Sequence, residues 1–171
     1  MDYRRQFLIS FGGLKLGNHH FDFEINERFF EEFEYSDYKK GTLNVKLEME
    51  KQERMLVLTF LISGFVEVIC DRCLDAFPQE IAGRYQLFVK FGSESLEESD
   101  DVIVISQNES RFDVMHYIYE YITLSVPIRH VHPDDGLSGK ACDPVVLKKL
   151  EELKRTETSD PRWDALRKLK Q

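Results

Sequence analysis

Cys70-Asp71-Arg72-Cys73 sets two thiols three positions apart, a spacing that lets both sulfurs reach one ion at about 2.3 Å, as in half of a structural zinc site. Residue types for the other half stand far downstream, in Cys142 and in the pair His130 and His132. With His132 the pattern reads C-x2-C-x58-H-x9-C, and His130 is the alternative ligand. A thiolate and imidazole set favours zinc over the hard cations, which prefer oxygen. The same four residues also fit a bland description, as unliganded thiols and a surface histidine. A thioredoxin-like role needs the C-x2-C at a helix N-terminus, where the thiolate is stabilised, and here it follows a strand pattern with Pro78 close behind. Cys–His nucleophilic catalysis lacks a glycine-rich oxyanion segment, so no catalytic residue is assigned. Gly12-Gly13-Leu14-Lys15-Leu16-Gly17 has neither the spacing nor the Lys-Ser/Thr ending of a phosphate loop and reads as a turn between strands.

Those thiols need elements to hold them. Leu43, Val45, Leu47 and Met49 alternate with Asn44, Lys46, Glu48 and Glu50, the pattern of a half-buried strand. After the polar break at residues 51–54, Met55 to Ile62 is apolar nearly throughout, so the two segments read as a hairpin whose second strand is the more deeply buried. Gly64 marks a bulge or bend in that strand, which continues through Phe65 to Ile69 and delivers Cys70 at its end. Further strands are expected at Phe7 to Phe11, Phe21 to Ile25, Ile81 to Phe91 and Val102 to Ile105, joined by short breaks that imply antiparallel pairing. The acidic segment from Ser93 to Asp101 reads as a solvated loop. Asn26 caps a short helix that turns Phe29, Phe30 and Phe33 inward. Ser110 with Asp113 resembles a capping arrangement for a helix carrying Phe112, Met115, Ile118, Tyr119 and Ile122, stopped by Pro127. Val145 to Arg155 and the segment opened by Asp160-Pro161 are short C-terminal helices. The fold expected is α+β: a mainly antiparallel sheet or partly open barrel, a helix after the sheet, and short helices at the C-terminus. A β-rich domain over residues 1–138 would carry a short basic segment over 139–171.

Length and composition fit that plan. The chain has 171 residues, 42% of them hydrophobic and 32% charged, enough for one core of its own. Its net charge is -8, which excludes a protein that coats nucleic acid by bulk attraction. The charge is uneven, however: residues 139–171 hold nine Lys/Arg against six Asp/Glu, a net +3, leaving -11 on residues 1–138. Arg162, Trp163, Arg167, Lys168 and Lys170 make this end the candidate surface for RNA or a partner protein. The apolar run Phe7-Leu8-Ile9 is too short for a signal peptide core or a membrane span, and three cysteines cannot all pair, so a reducing, cytoplasmic setting is expected.

A set of segments in fixed order carries a resemblance. Phe11-Gly12-Gly13-Leu14-Lys15-Leu16-Gly17, Phe29-Phe30, Gly64 with Cys70-Asp71-Arg72-Cys73-Leu74, Leu124-Ser125-Val126-Pro127 with His132 and Cys142, and Asp160-Pro161-Arg162-Trp163-Asp164-Ala165-Leu166 together resemble the YceD family of large ribosomal RNA subunit accumulation proteins. The Cys-x-Arg-Cys-Leu knuckle and the Asp-Pro-Arg-Trp segment are the most specific pieces. The resemblance implies a noncatalytic cytoplasmic factor in ribosome biogenesis, described as metal-binding and nucleic-acid-binding. Its partners would be ribosomal RNA precursor or large-subunit assembly proteins, with no membrane. It maps metal ligands onto Cys70, Cys73, His132 and Cys142; His130 stands where related sequences tend to have a second proline. A competing function is a general protein–protein interaction module that acts without RNA contact, which the net charge favours.

Overall fold

The computed structural model describes residues 3–92, 96–99, 101–133 and 142–154. A 3-10 turn at Tyr3–Phe7 leads into β1 (Leu8–Ser10), β2 (Gly17–Ile25), α1 (Glu27–Glu31), β3 (Gly41–Lys51), β4 (Met55–Ile69) and β5 (Ala76–Gly92). Then follow β6 (Leu96–Ser99), β7 (Val102–Ser106), β8 (Arg111–Asp113), α2 (Met115–Ser125) and α3 (Pro144–Lys154). The architecture is α+β, with an open six-stranded sheet in the order β2-β3-β4-β5-β7-β6 and a two-stranded sheet of β1 with β8. By contact density the chain divides into two compact units, Met1–Val68 with Pro78–Ile128, and Ile69–Phe77 with Arg129–Gln171. The boundary expected between residues 138 and 139 lies outside the described residues, as does the segment from Asp160.

In the first unit the alternation in β3 does what period two requires. Leu43, Val45, Leu47 and Met49 are buried while their neighbours face water. β3 pairs with β4 in one unbroken antiparallel register from Gly41↔Val66 to Lys51↔Leu56. Of the expected bulge or bend at Gly64, the ladder with β3 shows no bulge. Gly64 lies at φ +143, and a methyl there would collide with the carbonyl oxygen of Thr42 and lie 2.7 Å from the Cα of Leu43. The glycine lets two backbones approach inside a continuous ladder.

Three further expectations change. Leu96–Ser99, read as part of a loop, forms an edge strand, since β6 pairs antiparallel with β7 from Leu96↔Val104 to Ser99↔Val102. That hairpin returns β7 alongside β5, so this one pair is parallel, from Phe88↔Val102 to Gly92↔Ser106, although the connection is short. Ser110 does not cap α2, because residues 111–113 extend as β8 against β1, and it is the Asp113 carboxylate that accepts the Met115 N–H at 2.9 Å. Ladder hydrogen bonds with β1 satisfy this stretch of backbone better than an earlier helical turn would.

Aromatic side chains close the first unit's core. Asn26 caps α1 by accepting the Arg28 N–H at 3.1 Å, which sets Phe29 and Phe30 fully inside. Each such phenyl ring contributes roughly 1.5–3 kcal/mol by leaving water. Phe7 meets Phe23 and Phe29 at centroid distances of 5.4 and 5.3 Å, and half-buried Phe33 stacks on Tyr119 of α2 at 4.1 Å. Tyr121 of α2 lies flat against Tyr85 of β5 at 4.6 Å, and burial pushes its hydroxyl up to about 12. Gly64→Ala is expected to destabilise the protein by well over ~1 kcal/mol, through both the collision and the backbone conformation. Thermal denaturation should register a fall in Tm of at least about 2–4 °C; an unchanged Tm would show that β3 and β4 can part at no cost.

Candidate metal centre

The second unit is built around the link between β4 and β5. Ile69 ends β4, and the chain turns through residues 70–75 before β5 begins at Ala76. The turn is held by its own backbone: Cys70 donates its N–H to the Asp75 carbonyl at 2.9 Å, and Leu74 donates to the Cys70 carbonyl at 2.9 Å. The Arg72 N–H points at the Cys70 sulfur, 3.4 Å away. Leu74 closes the turn at φ 64, the one non-glycine residue with positive φ among the described residues. This left-handed conformation costs an L-residue roughly 1–2 kcal/mol. With its side chain 74% exposed, Leu74 gains little burial to offset that cost, so the geometry of the turn imposes it.

Two other segments of the same unit meet the knuckle. His130 donates its N–H to the Asp71 carboxylate at 2.7 Å, and its carbonyl accepts the Asp71 N–H at 2.8 Å. Two residues further on, the His132 ring packs on Phe77 with centroids 4.5 Å apart. Cys142 stands directly before Asp143-Pro144, where the Asp143 carboxylate accepts the Val145 N–H at 2.8 Å and caps α3. A cap of this kind is worth about 1 kcal/mol and fixes where the chain enters the helix.

Cys70, Cys73, His132 and Cys142 bring one donor atom each to within 4.8 Å of one another, and all four are buried. The sulfurs of Cys70 and Cys142 are 3.7 Å apart, and His132 Nδ1 lies 3.5 Å from the sulfurs of both Cys73 and Cys142. A tetrahedron with bonds of about 2.3 Å to sulfur and about 2.0 Å to nitrogen has S···S edges near ~3.8 Å and S···N edges near ~3.5 Å. These three spacings fit that figure, and the thiols are free rather than joined in a disulfide. His130, the alternative ligand, is outside this group and meets the knuckle through its backbone.

Electrostatics points the same way. Burial pushes the Cys70 thiol up, but N–H groups of Cys73, His132 and Arg72 and the Cys73 thiol outweigh it and bring it down to about 6. Burial, reinforced by the hydrogen bonds and charges of Cys70 and Cys73, pushes the Cys142 thiol up to about 11. Protein dipoles thus stabilise a first thiolate, whereas a second must form beside like charge. A divalent cation among the donors would remove that conflict.

The loop geometry of Asp71, Leu74 and Phe77 was not legible in residue spacing. α3 starts at Pro144, one residue before the helix expected from Val145, and Asp143-Pro144 carries the same cap-then-proline signal as Asp160-Pro161. Arg162, Trp163, Arg167, Lys168 and Lys170 lie outside the described residues. No described helix is long and apolar enough to cross a membrane.

A buried cluster of three cysteines and one histidine that could hold a metal ion lies within the second unit. The sequence profile of the family described as Large ribosomal RNA subunit accumulation protein YceD matches residues 58–170. The chain belongs to that family, and the match spans all four clustered residues. No curated protein and no solved structure matches the chain.

The cost stored at Leu74 yields a test within this loop. Leu74→Gly should leave stability level or raise it, while Leu74→Val should lower it by about 1 kcal/mol or more, because β-branching resists positive φ. Denaturant unfolding of the two variants would show equal midpoints if the loop could relax to ordinary backbone angles.

Proposed function

We propose that this protein is a noncatalytic cytoplasmic factor supporting accumulation of large-subunit ribosomal RNA, and that Cys70, Cys73, His132 and Cys142 hold a structural zinc ion. One observation carries the metal reading. Among the described residues of the second unit, these four side chains and Phe77 are the buried ones, whereas Ile69, Leu74, Val145, Leu150 and Leu153 are exposed. The donor set occupies the place of a hydrophobic core, as it does in small units that fold around a metal. Four protein donors complete a tetrahedron and leave no position for substrate, so the chemistry that zinc supplies here is cross-linking.

The family's description supplies the ribosomal RNA role, and the charge distribution supports a local mode of contact. With -8 overall, the chain repels generic RNA, and the +3 segment over residues 139–171 is where attraction concentrates. Arg162, Trp163, Arg167, Lys168 and Lys170 would meet ribosomal RNA precursor or a large-subunit assembly protein there. The second reading, an interaction module acting without RNA contact, is favoured by the net charge alone.

Protein purified without chelator is expected to carry about one zinc per chain, and chelation should lower its thermal stability. Zinc affinity should fall as pH is lowered, because protons compete for the thiolates and the imidazole. A metal-free protein of unchanged stability would overturn the site. Deleting Ser159 to Gln171 should leave cooperative melting intact while abolishing recovery of ribosomal material from cells. Recovery that weakens steeply with salt identifies phosphate contacts, and salt-insensitive recovery of protein alone favours the second reading.

A further inference from the structure

We infer that Asp71 is a positioning residue for the metal site, setting its affinity by clamping the segment that bears His132 to the knuckle that bears Cys70 and Cys73. The inference rests on the zinc reading above. Two ligands, Cys70 and Cys73, come within one tight turn and need no help to meet. The third must arrive from a segment remote in sequence, and ordering such a segment costs about 1–2 kcal/mol per residue. Without a clamp, that cost falls on the metal and weakens its binding.

Asp71 closes this gap with both of its hydrogen-bonding ends. Its backbone N–H donates to the His130 carbonyl at 2.8 Å, and its carboxylate accepts the His130 N–H at 2.7 Å. Both polar groups of one peptide residue are thus tied to a single neighbour of Cys70. The carboxylate bond is short and charge-assisted, the stronger kind. His130 contributes nothing else to the donor group, and two residues on, His132 presents Nδ1 to two sulfurs at 3.5 Å. Phe77 then holds the ring from the side, 4.5 Å away. Register at residue 130 therefore fixes where residue 132 can reach, which is how outer partners orient metal ligands.

Asp71 is itself exposed, so the alternative is that its negative charge merely attracts the cation. Asp75 separates the two. It lies in the same loop, is also exposed, and supports Cys70 through its backbone carbonyl, which substitution leaves in place. Asp71→Ala, Asp71→Asn and Asp75→Ala would be compared with the wild-type full chain for zinc affinity by chelator competition and for the visible spectrum with cobalt(II). Asp71→Ala should bind zinc about 10–100-fold more weakly, the usual effect of losing an outer partner. Asp71→Asn keeps an oxygen acceptor and should stay within about threefold of wild type, since it loses only the charge assistance. Asp75→Ala should be near wild type. Cobalt bound to Asp71→Ala at saturation should keep the tetrahedral thiolate spectrum, showing that the ligands are unchanged and only their assembly is costlier. Equal losses in Asp71→Asn and Asp71→Ala, or in Asp75→Ala, would make the effect one of charge and overturn the inference. So would wild-type affinity in Asp71→Ala. A wild-type chain that binds neither metal overturns the site itself, and with it any role for Asp71, an outcome distinct from all the others.

Discussion

Three thiols and an imidazole crowded within 4.8 Å and shielded from water are not a hydrophobic core. Burial opposes ionising each thiol, and each ionised thiol opposes the next, as the opposite displacements of Cys70 and Cys142 show. Protein dipoles can settle one charge, which the N–H groups around Cys70 do. A divalent cation among the donors would settle the remainder. Around these donors lie a turn with positive φ at Leu74, an Asp71 engaged at both its N–H and its carboxylate, an aromatic ring against His132, and a capped helix opening beside Cys142.

The β-sheet unit obeys different physics, because its interior is apolar. Phe7, Phe29, Phe30 and Phe60 are fully buried within it, with the apolar face of β3 and the inner faces of α1 and α2. β4 and β5 are long strands of 15 and 17 residues, and the knuckle is the link between them.

Period and punctuation in the sequence reveal the strands because burial on one face enforces them: Leu43 to Met49 can alternate only if one side is inside. The cap at Asn26 and the stop at Pro127 are equally local. What the sequence hides is nonlocal. Nothing near Leu96 announces that β7 will return beside β5, since that pairing is decided by the edge β5 leaves free. Gly64 carries a glycine signal that several structures share, a bulge, a bend, or a close approach of two backbones in a ladder unbroken against β3, and spacing alone does not choose among them. The ligand set is intermediate. Residue types and the C-x2-C spacing nominate Cys70, Cys73 and Cys142, but the choice between His130 and His132 depends on Asp71, whose carboxylate engages the backbone of residue 130. Spacing cannot express that hydrogen bond.

Along the chain, the candidate metal centre and the basic segment adjoin at Cys142. It is the last of the clustered donors along the chain, and the basic end of the molecule, from Lys148 to Lys170, follows it. On the zinc reading, Cys142 is the point where a cross-linked unit hands over to the segment on which positive charge concentrates. The entry into α3 is fixed there twice, by the sulfur among its fellow donors and by the Asp143 cap one residue later. A body carrying -11 repels a polyanion over a Debye length of about 8–10 Å at ordinary salt. On the proposed reading of RNA contact, selectivity for a particular site on ribosomal RNA, or for a protein beside it, would need no base-reading element in the chain, because repulsion from the acidic residues would remove the unsuitable sites.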